Sequence, residues 1–414
     1  MEAVNDEQVW WTCTPRDFEG NERFFARDSG LICMGLRAMG MSSRAVVTGE
    51  PRHDDLPELL RVDQARIHSP DWWRNTGATG VILYAWGRPE YTPLVSAIHE
   101  AGLDLILSQD SGGLASPLCG LCPWLKERWW ASGRAGLLKV PLFLCRVAKA
   151  LTYGLYTLDY RRKQQFLMGT WITPVTPGAT ARYRRLCRIY RGRSLAAKVV
   201  LLPHPITEDC LWRSEEGIQK EDRMVAIGRW KDEAQKRTKL MVASISLILK
   251  RRHSVKITII GEPSRVLEKW LESLPCSMRE RVELIPFAVH EEIVAILKRS
   301  RVFFCPSAFE SFSIAAGEAV CCGTTVVGER SASLPGLRWF THDGGGTLVE
   351  EASPCAMAAG VLRELDAWDA GERNPEELSR RWGERIHAQA VGSRIVDLGR
   401  RARNSRFASS AAPF

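Results

Sequence analysis

Phe309-Glu310-Ser311-Phe312-Ser313-Ile314-Ala315-Ala316-Gly317-Glu318-Ala319, running on to Cys322-Gly323, sets one carboxylate just before a helix and a second about two turns inside it. The apolar run Val302-Phe303-Phe304-Cys305-Pro306-Ser307 ahead of it reads as a buried strand. Gly323 reads as a helix stop, and Thr324-Thr325-Val326-Val327-Gly328 as the next strand. In a parallel sheet, the carboxyl edge of a strand and the N-terminus of the helix that follows it form a ligand crevice. Helix-terminal amides near Ser311, Phe312 and Ser313 suit a phosphate there, Glu318 suits a ribose diol, and Glu310 suits whatever the phosphate carries. The plainer alternative is two solvated surface glutamates.

The pattern continues on both sides of this stretch. Strands read at 224–229, 256–261, 282–287, 302–307 and 324–328, and helices at 239–252, 264–274, 291–300 and 312–322. The N-terminal half has strands at 9–13, 45–48, 81–85, 103–107, 170–173 and 199–202. A helix opens at Ser29-Gly30, another runs from Leu94 to Ala101, and an Arg-rich one carries Arg182 to Arg191. Alternating strands and helices predict a parallel sheet covered on both faces. At 414 residues the chain exceeds one ordinary core. The expected division is an N-terminal domain over 1–205, a C-terminal domain over 206–375 and a terminal helix over 376–414 that ends in a disordered tail from Asn404.

Residues 124–168 interrupt that rhythm. Trp124, Trp129, Trp130, Leu137, Leu138, Leu142, Phe143, Leu144, Tyr153 and Tyr156 interleave with Lys126, Arg128, Arg134, Lys139, Arg146 and Lys149. From Pro123 to Val200 there are 16 Lys/Arg against Glu127 and Asp159, a net of +14, which leaves the rest of the chain at −5 against its total of +9. Three readings stay open: buried core under ordinary surface charge, a patch that meets an anionic membrane surface, and a nucleic-acid face. Nucleic acid is the least favoured, because no nucleic-acid motif accompanies the basic residues.

Composition is that of a globular chain, and no apolar run reaches the roughly 20 residues that cross a bilayer. The start, Met1-Glu2-Ala3-Val4-Asn5-Asp6-Glu7, is acidic without an apolar signal core. The expected location is the cytoplasm, with membrane association open. The 12 cysteines are then reduced thiols, and the lone Cys119-Gly-Leu-Cys122 pair reads as core rather than zinc or redox chemistry. No set of His, Cys and Asp has metal spacing.

A second motif is Ile227-Gly228-Arg229-Trp230-Lys231-Asp232-Glu233-Ala234-Gln235-Lys236-Arg237, a strand end followed by a cationic loop. Together with the Glu310/Glu318 segment it resembles the retaining glycosyltransferases of GT-B fold, family 4. The resemblance implies an α/β protein of two Rossmann-like domains facing a central cleft. It implies transfer of a sugar from a nucleotide diphospho-sugar to an acceptor hydroxyl with retention, domain closure to exclude water, and no metal or cofactor. It assigns Arg229 and Lys236 to the donor pyrophosphate, where cations stabilise the charge that grows as the sugar–phosphate bond breaks. Lys231 and Arg237 rival Lys236, because the Arg–Lys gap is one residue longer than the family's usual form.

The resemblance also sets Gly261 and the backbone of Val289 beside the base, with His290 capping the next helix. In the first domain, Arg27-Asp28-Ser29-Gly30 opens a helix without the family's double glycine, and Gly30 is its candidate for close approach to the pyrophosphate. Asp110, in Gln109-Asp110-Ser111-Gly112-Gly113, stands where the family keeps an acceptor-facing polar residue. It would orient or deprotonate the acceptor hydroxyl, or simply make an Asp-Ser-Gly turn. The acceptor itself is not legible. A sugar-nucleotide epimerase of the same fold and a non-catalytic membrane- or nucleic-acid-binding scaffold are the alternatives.

Overall fold

The computed structural model describes residues 8–18, 20–26, 28–86, 88–132 and 138–410. Two six-stranded sheets organise the chain. The first is ordered β3-β2-β1-β4-β5-β6, from β1 (Trp10–Thr14), β2 (Ala45–Thr48), β3 (Leu59–Val62), β4 (Gly80–Tyr84), β5 (Asp104–Gln109) and β6 (Trp171–Pro174). The second is ordered β12-β11-β10-β7-β8-β9, from β7 (Glu221–Ile227), β8 (Lys256–Ile260), β9 (Val282–Ile285), β10 (Ser300–Cys305), β11 (Thr325–Glu329) and β12 (Gly346–Val349). Every pairing in both sheets is parallel.

Each sheet is covered on both faces, as its nearly unbroken apolar strands demand. In the first sheet Trp11, Val81 and Leu105 join one buried cluster while their neighbours Trp10, Ile82 and Ile106 join another. This is the two-residue alternation of a strand. In the second sheet Met224, Ile257, Ile259, Val302 and Phe304 pack with Met241, Ile245, Met357 and Val361 from helices Thr238–Arg251 and Pro354–Asp369.

Two compact units result. One comprises Met1–Leu121, Ala148–Thr207 and Arg385–Phe414; the other comprises Cys122–Val147 and Glu208–Glu384. The chain thus re-enters the first unit at Arg385, where helix Ala388–Ser410 packs on helix Asp28–Ala38 through Val391, Ile395, Ile32 and Leu36. Part of the basic aromatic segment, Cys122–Val147, belongs to the second unit and not to the first as the sequence suggested.

Other departures have local causes. β3 escapes an apolar scan because Arg61 is buried in it, paired with Asp55 at 2.8 Å and Asp17 at 2.5 Å. The strand expected at 199–202 makes only a bridge from Val199 to Ile172, just before Pro203 and Pro205 remove two donors. The terminal helix is split into Pro375–Ile386 and Ala388–Ser410, because Ile206 inserts between them: its N–H donates to Ile386 O, and Ala388 N–H donates to Ile206 O. The tail expected from Asn404 is helical through Ser410, and 411–414 lie outside the described residues. The interruption at 124–168 is itself helical: Leu121–Ala131, Lys139–Lys149, a wide-turn π stretch Ala150–Asp159, and Tyr160–Met168. Arg134 and Leu137 lie outside the described residues.

One side chain fixes the two helices that flank the second unit's crevice. Lys220 Nζ donates to Leu297 O, Ser300 O and Cys322 O at 3.3, 2.9 and 2.9 Å and to Thr324 Oγ1 at 2.8 Å. The carbonyls come from the last turns of helices His290–Arg299 and Ile314–Cys321, where a cation complements the helix dipole. Trp212 and Trp368 lie within 4.9 and 5.9 Å of the ammonium, and burial pushes its pKa well below the usual lysine range. Lys220→Met removes the shared donor of these enclosed acceptors and leaves Thr324 Oγ1 to serve only Leu297 O and Ser300 O, so urea unfolding should show a loss of about 3 kcal/mol. An unchanged midpoint would contradict this role.

Candidate active site

The second sheet's order reverses between β7 and β10. The loops that leave these neighbours diverge, and a crevice opens at their carboxyl ends. Both sequence motifs lie here. Lys236 Nζ meets Glu310 Oε1 at 2.5 Å, each side chain mostly buried, and Ser307 Oγ donates to the same Glu310 oxygen at 2.9 Å. Gln235 joins the loops: its side-chain amide donates to Phe309 O at 3.2 Å, and its backbone carbonyl accepts from Ala308 N–H at 2.8 Å. Its side-chain oxygen accepts from the exposed Arg229 guanidinium at 2.9 Å. One glutamine thereby ties Arg229 to the turn that carries Lys236.

The rival cations have other partners. Lys231 pairs on the surface with Glu262. Arg237 is buried against Glu329 at 2.7 Å, in a left-handed conformation that ends the short turn Glu233–Lys236. Of the three, Lys236 is the one that meets Glu310.

Ser313 caps helix Ile314–Cys321 in the left-handed region at φ 65°, and its carbonyl accepts from Ala316 and Gly317. The first-turn amides of Ile314 and Ala315 have no intrahelical acceptor, as at any helix start. Ser311 is half-buried beside them. Phe312 is different: its ring is buried at 5.2 Å from Phe340 and 6.3 Å from Trp339, so only its backbone can serve a donor. Gly261, at φ 122°, lies so close to Gly228 that a Cβ would stand 2.0 Å from Gly228 O. Its missing side chain lets the ends of β7 and β8 close together behind Arg229.

Glu318 sits in the second turn, with His290 Nδ1 at 3.9 Å from Oε1. Val289, rather than His290, is the N-cap residue, and its N–H donates to Glu292 at 3.1 Å. The His290 ring instead bonds the Cys210 thiol. That bond first, and the charge of Glu318 after the opposing effect of burial, hold its pKa up to about 9.

The remaining two sequence candidates belong to the N-terminal unit. Gly30 is buried in helix Asp28–Ala38, where a Cβ would stand 2.2 Å from Phe24 O, so its size serves packing against helix Asn21–Phe25. Arg27 lies outside the described residues. Asp110 leaves β5 at the carboxyl edge of the sheet and meets His204 Nε2 at 3.3 Å. On the other side, His204 Nδ1 is 3.8 Å from Asp28, whose φ of 49° is unusual for a side chain other than glycine or asparagine. The imidazole is 2% exposed and stacks on Tyr84 at 5.9 Å. Burial, with Asp28 and Asp110 adding to it, raises the Tyr84 phenol well above its ordinary range.

The sequence missed Gln235, Ser307 and His204. Gln235 and Ser307 were inside the quoted motifs but carry no charge to mark them. His204 stands between two prolines after an apolar run, a signal of a fixed side chain. Among the described residues, no three His, Cys, Asp or Glu side chains gather as metal ligands, and no helix is long and apolar enough to cross a membrane.

Residues 221–367 match the family model described as glycosyl transferases group 1. An uncharacterized glycosyltransferase of Methanocaldococcus jannaschii is 29% identical over 160 residues, 38% of this chain and 39% of that protein. The match therefore spans about two fifths of that relative's length. Sucrose-phosphate synthase from Thermosynechococcus elongatus superposes with a TM-score of 0.62 at 13% identity, covering 96% of this chain and 100% of its own. The Anabaena protein HepE, solved with UDP and glucose, superposes with a TM-score of 0.56 at 12% identity over 94% of this chain and 98% of its own. The two Rossmann-like domains are those of the GT-B fold.

The His290 contact has a pH signature. Its folded pKa of about 9 lies above the ordinary 6.5, so its contribution to stability is fully present below pH 6.5 and lost as the pH rises through 9. The stability gap between the protein and His290→Gln, read by urea unfolding, should be widest on the acid side of neutrality and close in alkali. A gap that is flat across this range would refute the pairing.

Proposed function

We propose that the protein moves a sugar from a nucleotide diphospho-sugar to an acceptor hydroxyl, with retention at the anomeric carbon; the match of residues 221–367 to the glycosyl transferases group 1 model supports this reading. The observation that carries this is the Lys236–Glu310 pair, with Arg229 bonded to the adjoining Gln235, where the second sheet's strand order reverses. Two cations and a helix N-terminus at one crevice suit a diphosphate. When the sugar–phosphate bond breaks, its electron pair passes to the diphosphate, and cations already fixed by Gln235 and Glu310 stabilise that charge without reorganising. Glu318, reached from the second turn of the same helix, accepts from the ribose hydroxyls. Glu310 faces the sugar, beside the lysine it holds.

Asp110, steadied by His204, takes the acceptor hydroxyl's proton or aligns that hydroxyl. Arg and Lys do the electrostatic work that a divalent ion does elsewhere, so no metal is required. The setting proposed is the cytoplasm, where thiols stay reduced; the 12 cysteines form no disulfide.

Incubation with UDP-, GDP- and ADP-sugars tests the reading directly, with donor turnover and the product anomer followed by NMR. Release of nucleoside diphosphate with the donor's anomeric configuration kept is expected. Interconversion of the donor sugar without release would instead mark an epimerase. Arg229→Ala and Lys236→Ala should each lower turnover by about 100-fold or more, the scale of losing a principal charge stabiliser. Glu318→Gln should weaken nucleoside diphosphate binding by about tenfold in calorimetry, whereas Glu310→Gln should lower turnover with little effect on that affinity. Wild-type turnover in both cation variants would sink the diphosphate assignment.

A further inference from the structure

Helix Lys139–Lys149 contains no buried residue. Its Phe143 ring meets Trp129 at 5.3 Å, Lys139 lies over the same tryptophan at 4.1 Å, and Arg146 donates to Ser132 at 3.0 Å. These contacts turn one side of the helix toward helix Leu121–Ala131. Val140 and Leu144 lie away from that contact and are exposed by 52 and 58%, and Leu138 just before the helix and Leu142 on its flank are exposed by 68 and 41%. Trp124 is core; Tyr153, Tyr156 and Tyr160 follow along the chain, exposed by 49, 84 and 59%. Apolar residues thus stand exposed beside the charged ones along this helix, where the bland expectation puts them inside.

An apolar face of this kind marks a contact with something other than water. Charge says what. Between Glu127 and Asp159 the chain has five Lys/Arg and no Asp or Glu. A second copy would set this basic stretch against itself, which like-charge repulsion opposes. An anionic bilayer complements it: the leucines enter the acyl boundary, the tyrosines sit among headgroups, and the cations meet lipid phosphates. We propose that helix Lys139–Lys149 is a membrane-docking arm whose occupant is the surface of an anionic lipid bilayer.

The arm is joined to the donor-binding unit. Its partner helix carries Lys126, 3.6 Å from Glu329, and Glu329 also holds Arg237, the residue next to Lys236. Docking therefore fixes the unit that carries the donor crevice at the bilayer, which suits an acceptor borne on a lipid.

Co-sedimentation of the full-length protein with vesicles tests this, using phosphatidylcholine alone and phosphatidylcholine with about one third phosphatidylglycerol. At low salt, binding should favour the anionic vesicles by about tenfold or more and be lost near 1 M salt, where the Debye length is about 3 Å. Leu142→Ser with Leu144→Ser, and separately Lys139→Glu with Lys149→Glu, should each reduce binding by about tenfold while nucleoside diphosphate affinity stays as in the parent. No binding to anionic vesicles, equal binding to both kinds, or a stable dimer by sedimentation that the leucine variant dissolves would overturn the proposal.

Discussion

A parallel sheet whose strand order reverses must send two neighbouring strands' connections in opposite directions, and in the second unit the Lys236–Glu310 pair spans that opening. Much else at this edge follows from holding the pair in place. Gln235 ties the two loops through one side chain and one carbonyl, so the cation and the carboxylate cannot drift apart. Gly261 lets the backbone of β8 close behind Gly228, which aims Arg229 from the strand end. Lys220 anchors the far ends of the helices that present Glu318 and His290. The site is thus built from charge fixed in advance, the property that lets electrostatic stabilisation act at the moment a bond breaks.

The first sheet has the same kind of reversal, between β1 and β4, and a site candidate gathers there as well. Asp28 follows the connection from β1, Tyr84 ends β4, Asp110 follows β5, and His204 follows the bridge beside β6. A buried imidazole is costly unless polar partners meet it, and the carboxylates on its two sides can do so only where a rigid chain holds them. The φ of 49° at Asp28 and the prolines on either side of His204 show where that rigidity comes from. One topological rule therefore opens both edges, with Arg229 and Lys236 beside Glu310 in one unit and Asp28 and Asp110 around His204 in the other. Cations suit a diphosphate and carboxylates suit hydroxyl groups.

The sequence shows these features unevenly, for physical reasons. The buried strands β1, β4, β5, β8, β10 and β11 are apolar runs, and the Glu310/Glu318 helix has a clear start and stop, so periodicity finds them. β3 hides because its buried arginine is neutralised by aspartates that only the fold brings near. The split at His387 hides because a residue 181 positions earlier, Ile206, makes it. Charged site residues announce themselves, whereas Gln235 and Ser307 work by hydrogen bonds that depend on two loops meeting. Phe312 and Gly30 show the opposite error: a residue inside a motif can be there for packing, the ring in an aromatic cluster and the glycine against a carbonyl. Choosing Lys236 over Lys231 and Arg237 took three ion-pair partners from distant positions, which no spacing rule contains.

The central claim is that a nucleoside diphosphate is held between the loops that follow β7 and β10. Backbone hydrogen exchange, with and without saturating nucleoside diphosphate, reads this residue by residue. Exchange should slow in 228–237 and in 307–318, the two loops and the helix start, and change little elsewhere in the second sheet. Protection that leaves both segments at their free rates while appearing at another edge of the protein would contradict the account.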